Sequence, residues 1–286
     1  MSFIKNINKD GKKIILYKID EIGPEVLISS GKTTKVGFLD TETTGLNPIN
    51  DNIIELAIKI IEVENDSGKI VSIVKQYKSF NDPEIPIKEE VRLLTGIGDD
   101  MVKNKSIDWQ YVDFLFESSE IMVSHNARFD RSFIDKYSKA SPHKIWACSI
   151  NDIDWLARGF SNTKQELLCY WHGFYFDAHR AMDDVDALIH LLTHEHYYEY
   201  RPIIELLNNS QMPNYIIKAT NFKYDELKKN KVKNHGYKWN ANDKIWYKMV
   251  HYDSLEKEKE ILTEIIYQNN FDGDIEKIEL SDKYKN

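Results

Sequence analysis

Cysteine is nearly absent from this sequence: Cys148 and Cys169 are the only two in 286 residues. Two thiols in so long a chain give no disulfide framework and point to a reducing, cytoplasmic setting. No apolar run approaches the ~20 residues of a membrane span. The start, Met1-Ser2-Phe3-Ile4-Lys5-Asn6, carries no apolar core of a secretory signal. No membrane partner is therefore expected. Internal repeats and low-complexity tracts are missing. Glu195 does not sit between paired histidines in the His-Glu-x-x-His order, which excludes a zinc protease of that type. His190, His194 and His196, and the pair Cys169 and His172, lack a second matching set and read as surface or core filler.

Hydrophobic residues make up 42% and charged residues 29%, a globular rather than a disordered composition. The net charge of −8 is unevenly spread: residues 214–250 carry +6, residues 251–286 carry −5, and residues 1–213 carry −9. A basic island in an acidic chain argues for a localised anionic partner. Its nine lysines are interleaved with aromatics. Lysines neutralise phosphates and exposed aromatics stack bases, at about 1–3 kcal/mol per base. Lys238, Trp239 and Trp246 are the candidate nucleic-acid contacts. The same aromatics serve equally well as the core of a small domain.

Residues 1–32 form an N-terminal extension of unassigned role, with a short strand candidate at Ile14–Tyr17. Residues 33–207 read as one domain. Three consecutive strands, joined by short turns such as Asn65-Asp66-Ser67-Gly68, open it in antiparallel order. Strands alternating with helices follow: helices over Glu89–Leu94, Ile107–Glu117, the stretch after His125-Asn126, Lys164–Trp171 and Asp183–His196, with strands at Ile121–Val123 and Lys144–Ser149. That order describes an α/β fold of three layers with a mixed central sheet. Residues 208–214 read as a linker and 215–270 as a small α+β module, basic and aromatic. It contains a hairpin across Asn240–Lys244 and a helix opened by an Asp253–Glu256 capping box. Residues 271–286 read as a charged, frayed tail.

The run Phe38-Leu39-Asp40-Thr41-Glu42-Thr43-Thr44-Gly45 has the pattern of a buried strand entering a turn. Alternation puts Val36, Phe38, Asp40 and Glu42 on one face. That face begins apolar and ends in two carboxylates. Like charges ~4 Å apart repel by about 1 kcal/mol in water and by about 4 kcal/mol at an effective dielectric of about 20. A divalent cation is the natural compensation. Two more acids break their local pattern. Asp130 shares a helical stripe with Ile134 and Tyr137, and Asp184 one with Ala187, Leu188 and Leu191. Asp183 lies instead with Asp186 and His190 on a polar side. Taken singly, either acid also answers the dipole of its helix from the first turn.

Strand tips and helix starts meet at one edge of an α/β sheet, where sites form. Only Arg128 and Arg180 bring strong bases into these motifs. Acids gathered there imply divalent metals, and oxygen ligands suit magnesium or manganese. Two ions about 4 Å apart suit in-line attack of water on phosphorus. His179, five residues before Asp184, offers a general base that titrates near neutrality.

Asp40-Thr-Glu42, the run His125-Asn126-Ala127-Arg128-Phe129-Asp130, and His179-Arg-Ala-Met-Asp-Asp184 resemble the three motifs of the DnaQ-like DEDDh exonucleases. The resemblance covers roughly residues 34–195 and includes all five family residues in order. It implies an RNase H-like fold, two bound Mg2+ (or Mn2+) ions and release of nucleoside 5′-monophosphates in the 3′–5′ direction. Carried over by position, Asp40, Glu42 and Asp184 are direct metal ligands, Asp130 an outer or water-mediated ligand, and His179 the general base. Thr43 and Asn126 line the terminal nucleotide. A tyrosine in the last motif would stand at position 180, which is arginine here, so the histidine class fits. Leu94-Thr95-Gly96-Ile97 is similar to a turn that these enzymes place beside the site; no chemistry is assigned to it. The expected substrate is nucleic acid, DNA in preference to RNA, with a DNA polymerase or repair protein as a further partner. The competing expectation is a non-catalytic nucleic-acid-binding protein, or a polymerase-associated proofreading subunit.

Overall fold

A strand that is apolar on both faces needs cover on both sides, and β2 (Thr33–Thr43), buried from Val36 to Leu39, has it. The chain was analysed as a computed structural model describing residues 14–19, 21–22, 31–197, 200–223 and 225–285. Most of the expected N-terminal extension falls outside the described residues. Within it, Tyr17–Lys18 forms β1, slightly later than the expected strand.

From β2 the chain turns back through β3 (Ile53–Glu64) and β4 (Ile70–Phe80), both antiparallel to their predecessors. Three helices follow: α1 (Glu89–Thr95), the single turn α2 (Asp99–Val102) and α3 (Trp109–Ser118). Then come β5 (Ile121–Ser124), α4 (Ala127–Ile134) and β6 (Ile145–Cys148), and after them α5 (Gln165–His172), β7 (Phe174–Tyr175), α6 (Ala181–Leu192) and α7 (Pro202–Ser210). β5 and β6 run parallel to β2, so the described five-stranded sheet, in the order β4-β3-β2-β5-β6, is mixed as expected. One face packs Phe38 and Ala57 against Val185, Leu188 and Leu191 of α6; the other packs Leu39 and Ile58 against Val112 and Phe116 of α3 and Phe133 of α4. These are the three layers. β1 pairs with β7 apart from this sheet. Cys148 and Cys169 are both free thiols.

β3 is buried along most of its length, yet it carries Glu55 and Lys59. Lys59 Nζ lies 2.6 Å from Asp186 Oδ1, with neither side chain more than 5% exposed. The helical stripe placed Asp186 on the polar side of α6. Instead Lys59 draws it into the sheet-facing side, and burial, opposed by Lys59, lifts its carboxyl to about 6.

A second compact unit spans Gln211–Lys283. It contains β8 (Asn214–Ala219), α8 (Glu226–Asn234), β9 (Lys238–Asn240), β10 (Ile245–His251), α9 (Leu255–Leu262) and β11 (Asp274–Lys277). The strands are antiparallel in the order β11-β8-β10-β9. The expected hairpin is β9–β10. Ile217, Val232, Tyr237, Val250, Leu262 and Ile266 form the core.

Four expectations are corrected here. Residues 208–210, read as linker, close α7. Residues 274–277, read as frayed tail, add an edge strand to β8, and Tyr284 is buried in the first unit, its hydroxyl donating to Asp152 Oδ2 at 2.8 Å. The capping box does not form: Asp253, its expected cap, lies inside the 3-10 turn Tyr252–Ser254, and Ser254, which precedes α9 with right-handed helical angles, makes no side-chain cap. Finally, the folded unit extends beyond the expected module 215–270, which holds eleven lysines and eight acids; with its added residues it holds thirteen of each and is neutral overall.

Removing one member of a buried ion pair strands the other. Lys59→Ala is expected to lower the unfolding free energy by ~3–5 kcal/mol in urea titrations. A Lys59→Met/Asp186→Leu double variant should recover most of that loss; a double variant no more stable than the single one would remove the pair as the cause.

Candidate active site

β2 pairs with β5 only from Val36 to Phe38. Beyond that point its edge needs other partners for its polar groups. Ser124 Oγ donates to Leu39 O at 2.7 Å. Thr41 donates from its backbone N and its Oγ1 to Asp130 Oδ1, at 3.1 and 2.8 Å. Asp130 thus stands where a neighbouring strand would be. It arrives from the first turn of α4, whose N-cap Asn126 has a φ of 73°. The tip of β2, carrying Asp40 and Glu42, is therefore held on one side by β3 and on the other by a carboxylate.

Asp184 enters from the first turn of α6. Its Oδ2 accepts from His179 N at 2.8 Å and Arg180 N at 3.1 Å. His179 itself has a φ of 69°, a left-handed conformation that costs a non-glycine residue energy. Asp40, Glu42 and Asp184, each half-buried, offer oxygens that all lie within 4.8 Å of one another. Among the described residues no other group of three His, Cys, Asp or Glu side chains comes as close. Asp130 lies outside this trio, its oxygen taken by Thr41.

The electrostatics follow from that crowding. Burial first, then Asp184, Asp130, Glu42 and Glu55, push the Asp40 carboxyl well above the usual carboxylate range. Burial, then Asp184, Glu55 and Asp130, push Glu42 to about 8. Burial lifts Asp130 to about 7, with the hydrogen bonds from Thr41 opposing it. Burial lifts Asp184 to about 7, opposed by the Arg180 and His179 amides. Such a trio is stable either protonated or joined by cations. Its all-oxygen donor set fits a divalent metal of the magnesium or manganese type.

The other expected residues are placed as follows. Thr43 is buried, and its Oγ1 donates to Gly45 O at 2.6 Å. Asn126 is exposed. In the second unit Trp239 and Trp246 face each other across the hairpin, ring centroids 5.4 Å apart. Trp239 is half-exposed, while Trp246 packs partly on the core. Lys238 pairs with Tyr247, one residue along, so it points to the opposite face from the tryptophans. Glu55 was missed. It lies opposite Glu42 and accepts from the Arg180 guanidinium and the Ala181 amide. Its signal was a charge inside an otherwise apolar strand, four residues from another.

The sequence profile of the RNase T exonuclease family matches residues 38–192. A PolC-type DNA polymerase III from Caldanaerobacter subterraneus subsp. tengcongensis is 32% identical over 180 residues, covering 60% of this chain and 12% of that protein. The PolC-type polymerase III of Bacillus subtilis is 32% identical over 166 residues, covering 54% and 11%. The chain thus spans about an eighth of the length of these relatives. The crystal structure of E. coli ExoI with single-stranded DNA and zinc superposes with a TM-score of 0.50 at 16% identity, covering 65% of this chain and 48% of that one. The shared part is the fold.

Acids whose carboxyls are raised on folding hold protons that the unfolded chain has released. Between about pH 4 and pH 8 these carboxyls bind more protons in the native state, so their contribution to stability falls as pH rises, while the buried His125, His172 and His194, lowered by burial, contribute in the opposite sense. In EDTA the melting temperature of the wild type relative to an Asp184→Asn variant should therefore fall from pH 5 to pH 8. Manganese should restore it at pH 8 far more than at pH 5, by about 2.7 kcal/mol at about 100 times its Kd. A wild-type melting temperature that stays level relative to Asp184→Asn across this range without metal would contradict the crowding described here.

Proposed function

This chain belongs to the RNase T exonuclease family, within the DnaQ-like DEDDh superfamily, and on that premise we propose that it is a metal-dependent 3′–5′ exonuclease. The observation that carries this reading is the approach of Asp40, Glu42 and Asp184 within 4.8 Å of one another, beside the left-handed turn at His179. Asp40, Glu42 and Asp184, with Asp130 in an outer role, would hold divalent cations, two Mg2+ or Mn2+, which would supply positive charge for activating water and stabilising the leaving oxygen. Thr41 keeps Asp130 and the strand tip together. An imidazole nitrogen of His179 takes the proton from the attacking water. The bond from water oxygen to phosphorus forms as the bond to the preceding 3′ oxygen breaks, releasing a nucleoside 5′-monophosphate. Asn126, exposed at the start of α4, and the Thr43 backbone contact the terminal nucleotide.

The likeness to a stretch of PolC-type DNA polymerase III supports DNA over RNA as substrate, and a polymerase or repair protein as partner. In the second unit the half-exposed Trp239, backed by Trp246, offers a stacking surface for an unpaired base, with Lys238 available to phosphate from the other face.

Asp40→Asn and Asp184→Asn should reduce the stepwise shortening of 5′-labelled single-stranded DNA in Mg2+ to the level of a no-enzyme control. His179→Ala should lower kcat by about 10²–10⁴-fold with KM little changed. Trp239→Ala should weaken single-strand binding by ~1–3 kcal/mol without touching the trio. Undiminished cleavage by pure Asp40→Asn protein, or shortening from the 5′ end, would sink the proposal.

A further inference from the structure

Glu55 is a buried acid of β3 that lies opposite Glu42, and all its hydrogen bonds go to one turn. Arg180 Nε donates to Oε2 at 3.2 Å, Arg180 Nη2 to Oε1 at 3.0 Å, and Ala181 N to Oε2 at 3.1 Å. This is a two-pronged guanidinium–carboxylate pair, the most direction-dependent of ion pairs. The guanidinium also lies over the Phe80 ring, 5.6 Å from its centroid, and Phe80 is the β4 neighbour of Glu55 in register. The same turn is gripped from its other side, where His179 N and Arg180 N donate to Asp184. Three successive residues, His179, Arg180 and Ala181, are thus held between two carboxylates.

Four residues along the same face of β3, Lys59 meets Asp186. The polarity of this second pair is reversed: the strand gives the acid at 55 and the base at 59, and the helix end gives the base at 180 and the acid at 186. Asp184 lies between the two helix partners. An axial slip of α6 would break both pairs at once and bring acid toward acid in one direction and base toward base in the other, so the two pairs fix where Asp184 and His179 stand relative to Asp40 and Glu42. A left-handed non-glycine residue such as His179 persists only where its surroundings over-determine it.

Resting on the exonuclease reading, we propose that Glu55 and Arg180 are positioning residues: they hold the His179–Ala181 turn so that the imidazole faces the carboxylate trio. They touch neither substrate nor water in this scheme. They act through His179.

The test uses the full chain with Glu55→Gln, Arg180→Lys and His179→Ala, singly and in pairs. Glu55→Gln keeps the shape and removes the charge; Arg180→Lys keeps the charge and removes the fork. Each single change is expected to lower kcat by about 10- to 100-fold at little-changed KM, the scale of a small misplacement of a reacting group. In the His179→Ala background the same changes should add no further loss, because residues acting through one group are non-additive. Equal losses in both backgrounds would overturn the proposal, since a merely structural role predicts them. A second readout is independent of turnover. The ring resonances of His179 in histidine-labelled, metal-free protein should shift in Glu55→Gln and in Arg180→Lys, and unmoved resonances would also overturn it. If the wild-type chain hydrolyses nothing, the exonuclease reading falls while the resonances still decide the positioning. Arg180→Lys, at a partly exposed side chain, keeps the test open should Glu55→Gln fail to fold.

Discussion

Asp40, Glu42 and Asp184 approach within 4.8 Å of one another although burial and neighbouring acids push each toward its neutral form. That crowding is the constraint around which the first unit is arranged. Carboxylates do not gather by attraction. They are carried together by elements whose positions are settled elsewhere, in the apolar packing of α6 and α4 on the two faces of the sheet. The cost of the cluster falls on the metal-free protein and is offset when cations bind, so the site is also a binding energy held in reserve.

The hydrogen bonds around the trio show the same division of labour. Each acid outside it is satisfied by a fixed donor: Asp130 by Thr41, Glu55 by Arg180 and Ala181, Asp186 by Lys59. Asp184 takes two backbone amides on Oδ2. Asp40 and Glu42, by contrast, sit at a strand tip facing the cluster. The supporting acids make the scaffold rigid, and the trio remains the place where positive charge is in demand. A site built in this way asks little of its loops, because its ligands come from strand and helix ends.

Much of this was legible in the sequence because it rests on local periodicity. Strand alternation set Asp40 and Glu42 on one face, and the helical stripe separated the half-buried Asp184 from the exposed Asp183. Three antiparallel strands followed by parallel ones were visible in apolar runs and turn signals. What was not legible depends on pairing at long range. Asp186 looked solvated by its stripe and is buried because Lys59, 127 residues earlier, meets it. Glu55 looked incidental within an apolar strand until the turn at Arg180 closed on it. β11 looked like tail, since its exposed DIEK sequence has no apolar pattern of its own and its order comes from pairing with β8. The Asp253–Glu256 capping box failed because Asp253 lies inside the 3-10 turn Tyr252–Ser254 rather than at the start of α9.

The neutrality of the second unit sharpens its reading as a nucleic-acid surface. β9 and β11 are opposite edges of its sheet. The β9 edge and the adjoining turn carry exposed Lys238 and Lys244 against one acid, Asp243, with Lys231 and Lys233 exposed on α8, which leads into β9. The β11 edge carries Asp274 and Glu276 against one base, Lys277, with Asp272 and Glu279 flanking it; Glu276 pairs with Lys218 at 2.7 Å. A uniformly basic module attracts a polyanion from every side, whereas a polarised one attracts it at one edge and repels it at the other. Fewer lysines then meet phosphate, which weakens binding and lowers its dependence on salt. Under the nucleic-acid role proposed for this unit, what is lost in affinity is gained in direction: a strand would meet it along the edge that presents Trp239, and stacking there would have to supply what the missing net charge does not.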